Sequence, residues 1–167
     1  MLPEVCLALS EKLHSKEFLI ALTLPPNSLQ WLKISKHANA LGIGECLDTL
    51  GDLPLERLAE AYTHCSCVLL PTLREVSTAV YPEAFFFRRP LITSDVDFAR
   101  ELCGNAALYA SSTDATAFAD RIAAVLTDPL LYAELVNRGE GQLRAIYPTA
   151  DCKFEQQMQV LRSARRA

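Results

Sequence analysis

Two carboxylates on either side of a turn are the residues of this chain best placed to do chemistry. From Pro71 to Glu83 the sequence reads P-T-L-R-E-V-S-T-A-V-Y-P-E, with Glu75 and Glu83 eight residues apart. The apolar run Cys67-Val68-Leu69-Leu70 precedes it and reads as a strand. A helix follows, with Glu83 in its first turn. A helix start presents backbone N–H groups without helical partners and the positive end of the macrodipole, so it suits a phosphate. Carboxylates beside such a place accept hydrogen bonds from hydroxyls, which points to a ribose or another sugar. A plainer role is also available to each. A glutamate in a first turn stabilises the macrodipole by about 0.3–1 kcal/mol without any ligand, and Glu75 can be a solvated loop residue.

Strand-like and helix-like segments that alternate along the chain must position that turn. Leu2, Val5, Leu9 and Leu13 mark one helix face, and Phe18–Leu24 reads as an apolar strand stopped by Pro25-Pro26. Trp31, Ile34, Ala38 and Leu41 mark a second helix, closed by Gly42. Strands at Cys46–Leu50, Cys67–Leu70, Pro90–Thr93 and Ala107–Tyr109 then alternate with helices at Leu55–Tyr62, Val80–Phe87 and Asp97–Leu102. Phe118, Ile122, Val125 and Leu126 mark a further helix. Asp128-Pro129 restarts one, with Asp as N-cap and Pro at the first position, and Asp151–Arg162 is the last. Such alternation predicts an α/β fold with a doubly wound parallel sheet, covered on both faces. Ligands of these sheets bind outside the carboxyl ends of the strands. The loop from Leu70 to Glu83, Leu50-Gly51-Asp52-Leu53 and Ser94-Asp95 all fall at that edge. The chain opens on a helix where such a sheet opens on a strand, so a missing first strand and a fragment of a longer protein are expected.

Composition narrows the classes. The chain has 167 residues, half of them apolar, which is enough for one domain, spanning 1–167, with its own core. A net charge of −4 argues against nucleic acid as the main partner. No apolar run reaches the ~20 residues of a membrane span, and no signal-peptide order is present at the start. Cys6, Cys46, Cys65, Cys67, Cys103 and Cys152 form no C-x-x-C pair, so reduced core thiols in a cytoplasmic protein are expected in preference to zinc. No metal and no cofactor is expected. His14, His37 and His64 lie apart on separate helices and suggest no nucleophilic triad. No phosphate-binding P-loop is present, and Gly42-Ile43-Gly44 follows a helix and not a strand, so it fails as a dinucleotide turn.

The segment from about Glu45 to Arg138 resembles the donor-binding, C-terminal domain of retaining GT-B glycosyltransferases of the group 1 family. The family pattern runs P-S, then E-G-F-G-x-x-x-x-E-A, then P-V-x-x-S. The chain has Pro71-Thr72, then Glu75 to Ala84, then Arg89-Pro90-Leu91-Ile92-Thr93-Ser94. Ser94 to Tyr109 resembles S-D-x-x-x-x-x-E-x-x-G-x-A-A-x-Y, and Leu50-Gly51 with Leu58 and Tyr62 resembles L-G-x-x-x-x-x-x-L-x-x-x-Y. The resemblance implies that Glu83 holds ribose hydroxyls of a nucleoside diphosphate sugar and that Glu75 holds the donor sugar. It implies that Ser77, Thr78, Ala79 and Val80 line the diphosphate and that Leu53 packs on the nucleobase. It also implies an N-terminal GT-B domain as partner, carrying the acceptor, and no transfer by this half alone. The chain departs from the family at Val76-Ser77-Thr78, where the pattern has Gly-Phe-Gly. The family's diphosphate-binding Arg and Lys fall before the first residue of this chain. A degenerate domain serving as a packing or interaction module is therefore the rival reading. A nucleotide-sugar epimerase is a weaker one, because the glycine loop is missing.

Overall fold

The computed structural model describes residues 1–73, 78–147 and 149–164. Helix α1 (Leu2–Leu13) leads to strand β1 (Ile20–Leu22), then α2 (Leu29–Ala40) and β2 (Leu47–Thr49). Next come α3 (Leu55–His64), β3 (Val68–Leu70), α4 (Val80–Phe86), β4 (Leu91–Ser94), α5 (Asp97–Cys103) and β5 (Ala107–Ala110). Helices α6 (Ala115–Thr127), α7 (Pro129–Ile146) and α8 (Ala150–Ala164) complete the order. The expected α/β alternation is present, with every strand pair parallel.

Local chemistry sets several boundaries. The Ser28 side chain accepts from the Trp31 N–H and starts α2. Gly42 follows that helix at φ +70°, a conformation that glycine adopts without Cβ strain. Asp128 accepts from the N–H groups of Leu130 and Leu131, and Pro129 at the first position has no N–H to satisfy. Between α6 and α7 this single residue therefore does the capping that its sequence predicts.

β4 is buried along its whole length, from Leu91 to Ser94. It pairs with β3 on one side and β5 on the other, and successive side chains enter opposite layers. Leu91 packs with Tyr81, Phe85, Ala99 and Cys103 of α4 and α5. Ile92 packs with Val5, Leu9, Phe118 and Ile122 of α1 and α6. A parallel sheet covered by helices on both faces is the doubly wound arrangement. The ladder is divided, however. β1 pairs only with β2, β3 pairs only with β4, and among the described residues no ladder joins β1 to β3. Both strands still lie on one core, since Ile20 and Leu69 pack against the same cluster as Ile92. Their burial is correspondingly incomplete: Val68, Leu69 and Leu70 are half-buried and Ala21 is exposed. The strand expected over Phe18–Leu24 shortens to Ile20–Leu22, because it has a partner along one edge alone.

Candidate functional site

The carboxyl ends of β2, β3 and β4 open into the loops that carry the predicted residues. Leu53 is half-buried in the loop after β2, where Gly51 turns the chain at φ +71°. Thr78, Ala79 and Val80 lead into α4 after β3. Glu75 and Ser77, with Val76 between them, lie outside the described residues. Glu83 stands in the first turn of α4, half-buried, and its N–H donates to the Ala79 carbonyl at 3.0 Å. Exposed leucines occupy the same edge: Leu29 after β1, Leu50 and Leu55 after β2, and Leu73 after β3.

The supply of anion-binding N–H groups at α4 is smaller than a helix start ordinarily offers. The Val80 N–H donates to Thr78 Oγ1 at 3.1 Å, and Pro82 has no N–H to give. α4 is instead anchored by buried polar contacts. The Tyr81 hydroxyl and Thr93 Oγ1 lie 3.2 Å apart, and Thr93 donates on to the Leu70 carbonyl at 3.0 Å. This chain ties the helix to the last residue of β3, where the site loop begins.

Glu83 has a partner that periodicity did not reveal. The Tyr62 hydroxyl donates to Glu83 Oε2 at 2.9 Å. Burial, and then its bond to Glu83, raise the Tyr62 phenol well above its ordinary range, so it stays protonated and donates. Its ring stacks on Phe87 with centroids 5.1 Å apart and an interplanar angle of 2°. Arg89 holds the backbone beneath it: Nε donates to the Tyr62 carbonyl at 2.9 Å, Nη2 to the Thr63 carbonyl at 2.6 Å and Nη1 to the Tyr132 hydroxyl at 3.1 Å. The helix expected over Leu55–Tyr62 and the L-x-x-x-Y spacing at Leu58 and Tyr62 both included this tyrosine, and neither assigned it a task.

At the end of β4, Asp95 receives two bonds from Arg100, at 2.7 and 2.9 Å, and the guanidinium lies 4.0 Å from the Tyr109 ring centroid. Arg100 holds the Asp95 carboxyl below its ordinary 3.8. An open groove of about 400 Å³ lies elsewhere, between the end of α4 and α7, lined by Phe87, Arg88, Arg89, Tyr132 and Val136. Phe87, Arg88 and Arg89 lead into the amino end of β4, and Phe87 and Arg89 also hold Tyr62, the partner of Glu83. Among the described residues no three His, Cys, Asp or Glu side chains converge as metal ligands, and the six cysteines are free thiols. The three histidines are exposed and sit at helix ends: His14 caps α1, His37 lies in the last turn of α2 and His64 ends α3. Among the described residues no helix is long and apolar enough to cross a membrane.

Comparisons with solved structures identify the architecture. Sucrose-phosphate synthase from Thermosynechococcus elongatus superposes with a TM-score of 0.79 at 21% identity, over 97% of this chain and 42% of that one. A TarM variant from S. aureus, in complex with Fondaparinux, alpha-GlcNAc-glycerol and UDP, gives 0.78 at 16% identity, over 95% and 31%. The trehalose-6-phosphate protein of E. coli bound with UDP-2-fluoro glucose gives 0.68 at 20%, over 87% and 37%. The chain thus spans less than half the length of these proteins, and its fold is the Rossmann-like half of a GT-B glycosyltransferase. A comparison with curated protein sequences returned no match. Residues 30–142, more than half of the chain, match the family described as glycosyl transferases group 1, and the chain belongs to that family.

Proposed function

We propose that this domain binds the nucleoside diphosphate sugar of a glycosyltransferase at the carboxyl edge of its sheet. The observation that carries the reading is the placement of Glu83. It is an acceptor-only carboxylate in the first turn of α4, held by Tyr62, in a chain of the group 1 family. In this reading Glu83 accepts from the ribose hydroxyls and Glu75 from the donor sugar. Ser77, Thr78, Ala79 and Val80 line the diphosphate, and Leu53 meets the nucleobase. The helix start and cationic side chains stabilise the leaving diphosphate. Transfer proceeds with retention, in the cytoplasm. An N-terminal GT-B domain brings the acceptor across the cleft, and this half alone is inactive. The exposed leucines at the carboxyl edge suit contact with such a domain. Two neighbours were solved with UDP or UDP-2-fluoro glucose bound, which makes UDP the first ligand to try.

The same reading places a further parallel strand between β1 and β3. Support comes from the divided ladder, from the core cluster shared across the division and from α1, which packs against both α2 and α6. A strand in that position would cover the half-buried side chains of β3.

One observation favours the rival reading, a domain that has lost donor binding and serves as a packing module. Thr78 occupies the Val80 N–H and Pro82 supplies none, at the place where a pyrophosphate would need donors. Titration calorimetry with UDP, ADP and GDP separates the two. Binding of one of them, weakened by Glu83→Ala, supports the donor site. Absence of binding to every nucleotide, in this chain and in a longer chain that carries it, supports the packing module.

A further inference from the structure

We propose that Tyr62 is the positioning residue for Glu83: its hydroxyl holds one carboxylate oxygen so that the other faces the ribose. The proposal rests on the reading that Glu83 accepts from ribose hydroxyls. A glutamate on a helix has three side-chain torsions, and a solvated one samples several rotamers. Glu83 is constrained, because Tyr62 Oη bonds its Oε2 at 2.9 Å and, among the described residues, no other bond to the carboxylate is present. That leaves Oε1, with two lone-pair directions, for a ligand.

Tyr62 is itself fixed at three points. Its ring stacks flat on Phe87, its carbonyl is gripped by Arg89 Nε, and its hydroxyl ends on Glu83. Phe87 lies one helical turn beyond Glu83, so the ring and the carboxylate belong to the same face of α4. A phenol whose ionisation is suppressed is a durable donor to a carboxylate. The hydroxyl therefore favours one rotamer of the Glu83 side chain. A ligand hydroxyl then meets an acceptor that has little left to reorganise, and pre-organisation of this kind improves affinity by lowering the ordering cost.

The test compares ribonucleotides with deoxyribonucleotides. UDP, ADP and GDP and their 2′-deoxy counterparts are titrated into the wild-type chain, Tyr62→Phe, Phe87→Leu and Glu83→Gln. Tyr62→Phe keeps the ring and the stack. Phe87→Leu keeps the hydroxyl and loosens the ring, and it carries the test should Tyr62→Phe fail to fold. The wild-type preference for ribose over deoxyribose is expected to collapse in Glu83→Gln. It is expected to fall about threefold to tenfold in Tyr62→Phe, the range of the net contribution of one typical hydrogen bond. Tyr62→Phe made in the Glu83→Gln background should change the ratio no further. A purely structural role for Tyr62 would weaken ribo- and deoxyribonucleotides alike and leave the ratio unmoved. If Glu83→Gln collapses the ratio while Tyr62→Phe and Phe87→Leu preserve it, the positioning role is wrong and the ribose assignment stands. If the wild type shows no preference, or Glu83→Gln retains it, the ribose assignment fails and the positioning role fails with it.

Discussion

Replacing Arg89 with methionine should cost this domain about 2–4 kcal/mol, from the loss of bonds between a cation and partly shielded acceptors. The three bonds are unequal. Those to the Tyr62 carbonyl and the Tyr132 hydroxyl are partly buried, at 2.9 and 3.1 Å, whereas the one to the Thr63 carbonyl is exposed. The buried pair supplies most of the loss, and the exposed bond adds a few tenths of a kcal/mol. Methionine keeps the apolar stem and its packing, so the difference reports the guanidinium. The two carbonyls also belong to the last turn of α3, where a cation opposes the negative helix end. For a domain of this size the melting temperature should fall by about 6–12 °C. Urea unfolding should show a lower midpoint at an unchanged slope. Arg89→Lys should recover part of the loss, since an ammonium cannot span three acceptors in a planar fork. A second readout is chemical. Burial raises the Cys65 thiol and the charge of Arg89 restrains that rise, so Arg89→Met should slow alkylation of Cys65 at mildly alkaline pH. A midpoint shift worth less than about 0.5 kcal/mol, the scatter of an ordinary surface substitution, would refute the clamp.

Three further outcomes are expected. Gly139 of α7 faces Phe85, whose Cδ1 would lie 2.8 Å from an added Cβ, while Gly141 has open space; Gly139→Ala should destabilise by about 1–3 kcal/mol and Gly141→Ala should stabilise by about 0.5–1 kcal/mol, both read from urea midpoints. Asp95 has a folded-state pKa below its unfolded value, so its contribution to stability is present above about pH 4 and fades as pH falls through the lower folded value. The difference between wild type and Asp95→Asn in acid unfolding curves should therefore be constant near neutral pH, vanish in strong acid and shrink with added salt. Hydrogen exchange should find the amides of β1 and β3 on their unpaired edges about tenfold or more faster than those of β4, which is flanked on both sides; equal protection in all three strands would show that the division of the sheet closes in solution.

The order of elements was legible because each one obeys a local rule. The apolar run before Ser94 has no period of two, as a strand buried on both faces requires, and it became β4. Asp128-Pro129 is a cap and a first-turn proline, and it became the start of α7. Pairing between distant residues left no such mark. Nothing in the spacing of Tyr62 and Glu83 announces a bond across 21 positions. In the sequence Arg89 figured only as the residue before Pro90 in the family resemblance, although it holds the end of α3 and Tyr132 of α7. The division of the sheet was likewise hidden, since a strand reads the same whether one edge is paired or two. Pro82 is the instructive case. Its missing N–H was visible from the outset, and it bears directly on how many donors α4 can offer an anion.

The most direct test of donor binding is an amide chemical-shift map of the labelled chain during titration with UDP, ADP and GDP. The donor-site account predicts that one nucleotide shifts a contiguous set around Leu53, Thr78 to Glu83 and Tyr62, and that Glu83→Ala abolishes the set while the rest of the spectrum is unchanged. Shifts confined to the groove at Arg88 and Tyr132, or no shifts with any of the three in this chain and in a longer chain that carries it, would contradict it.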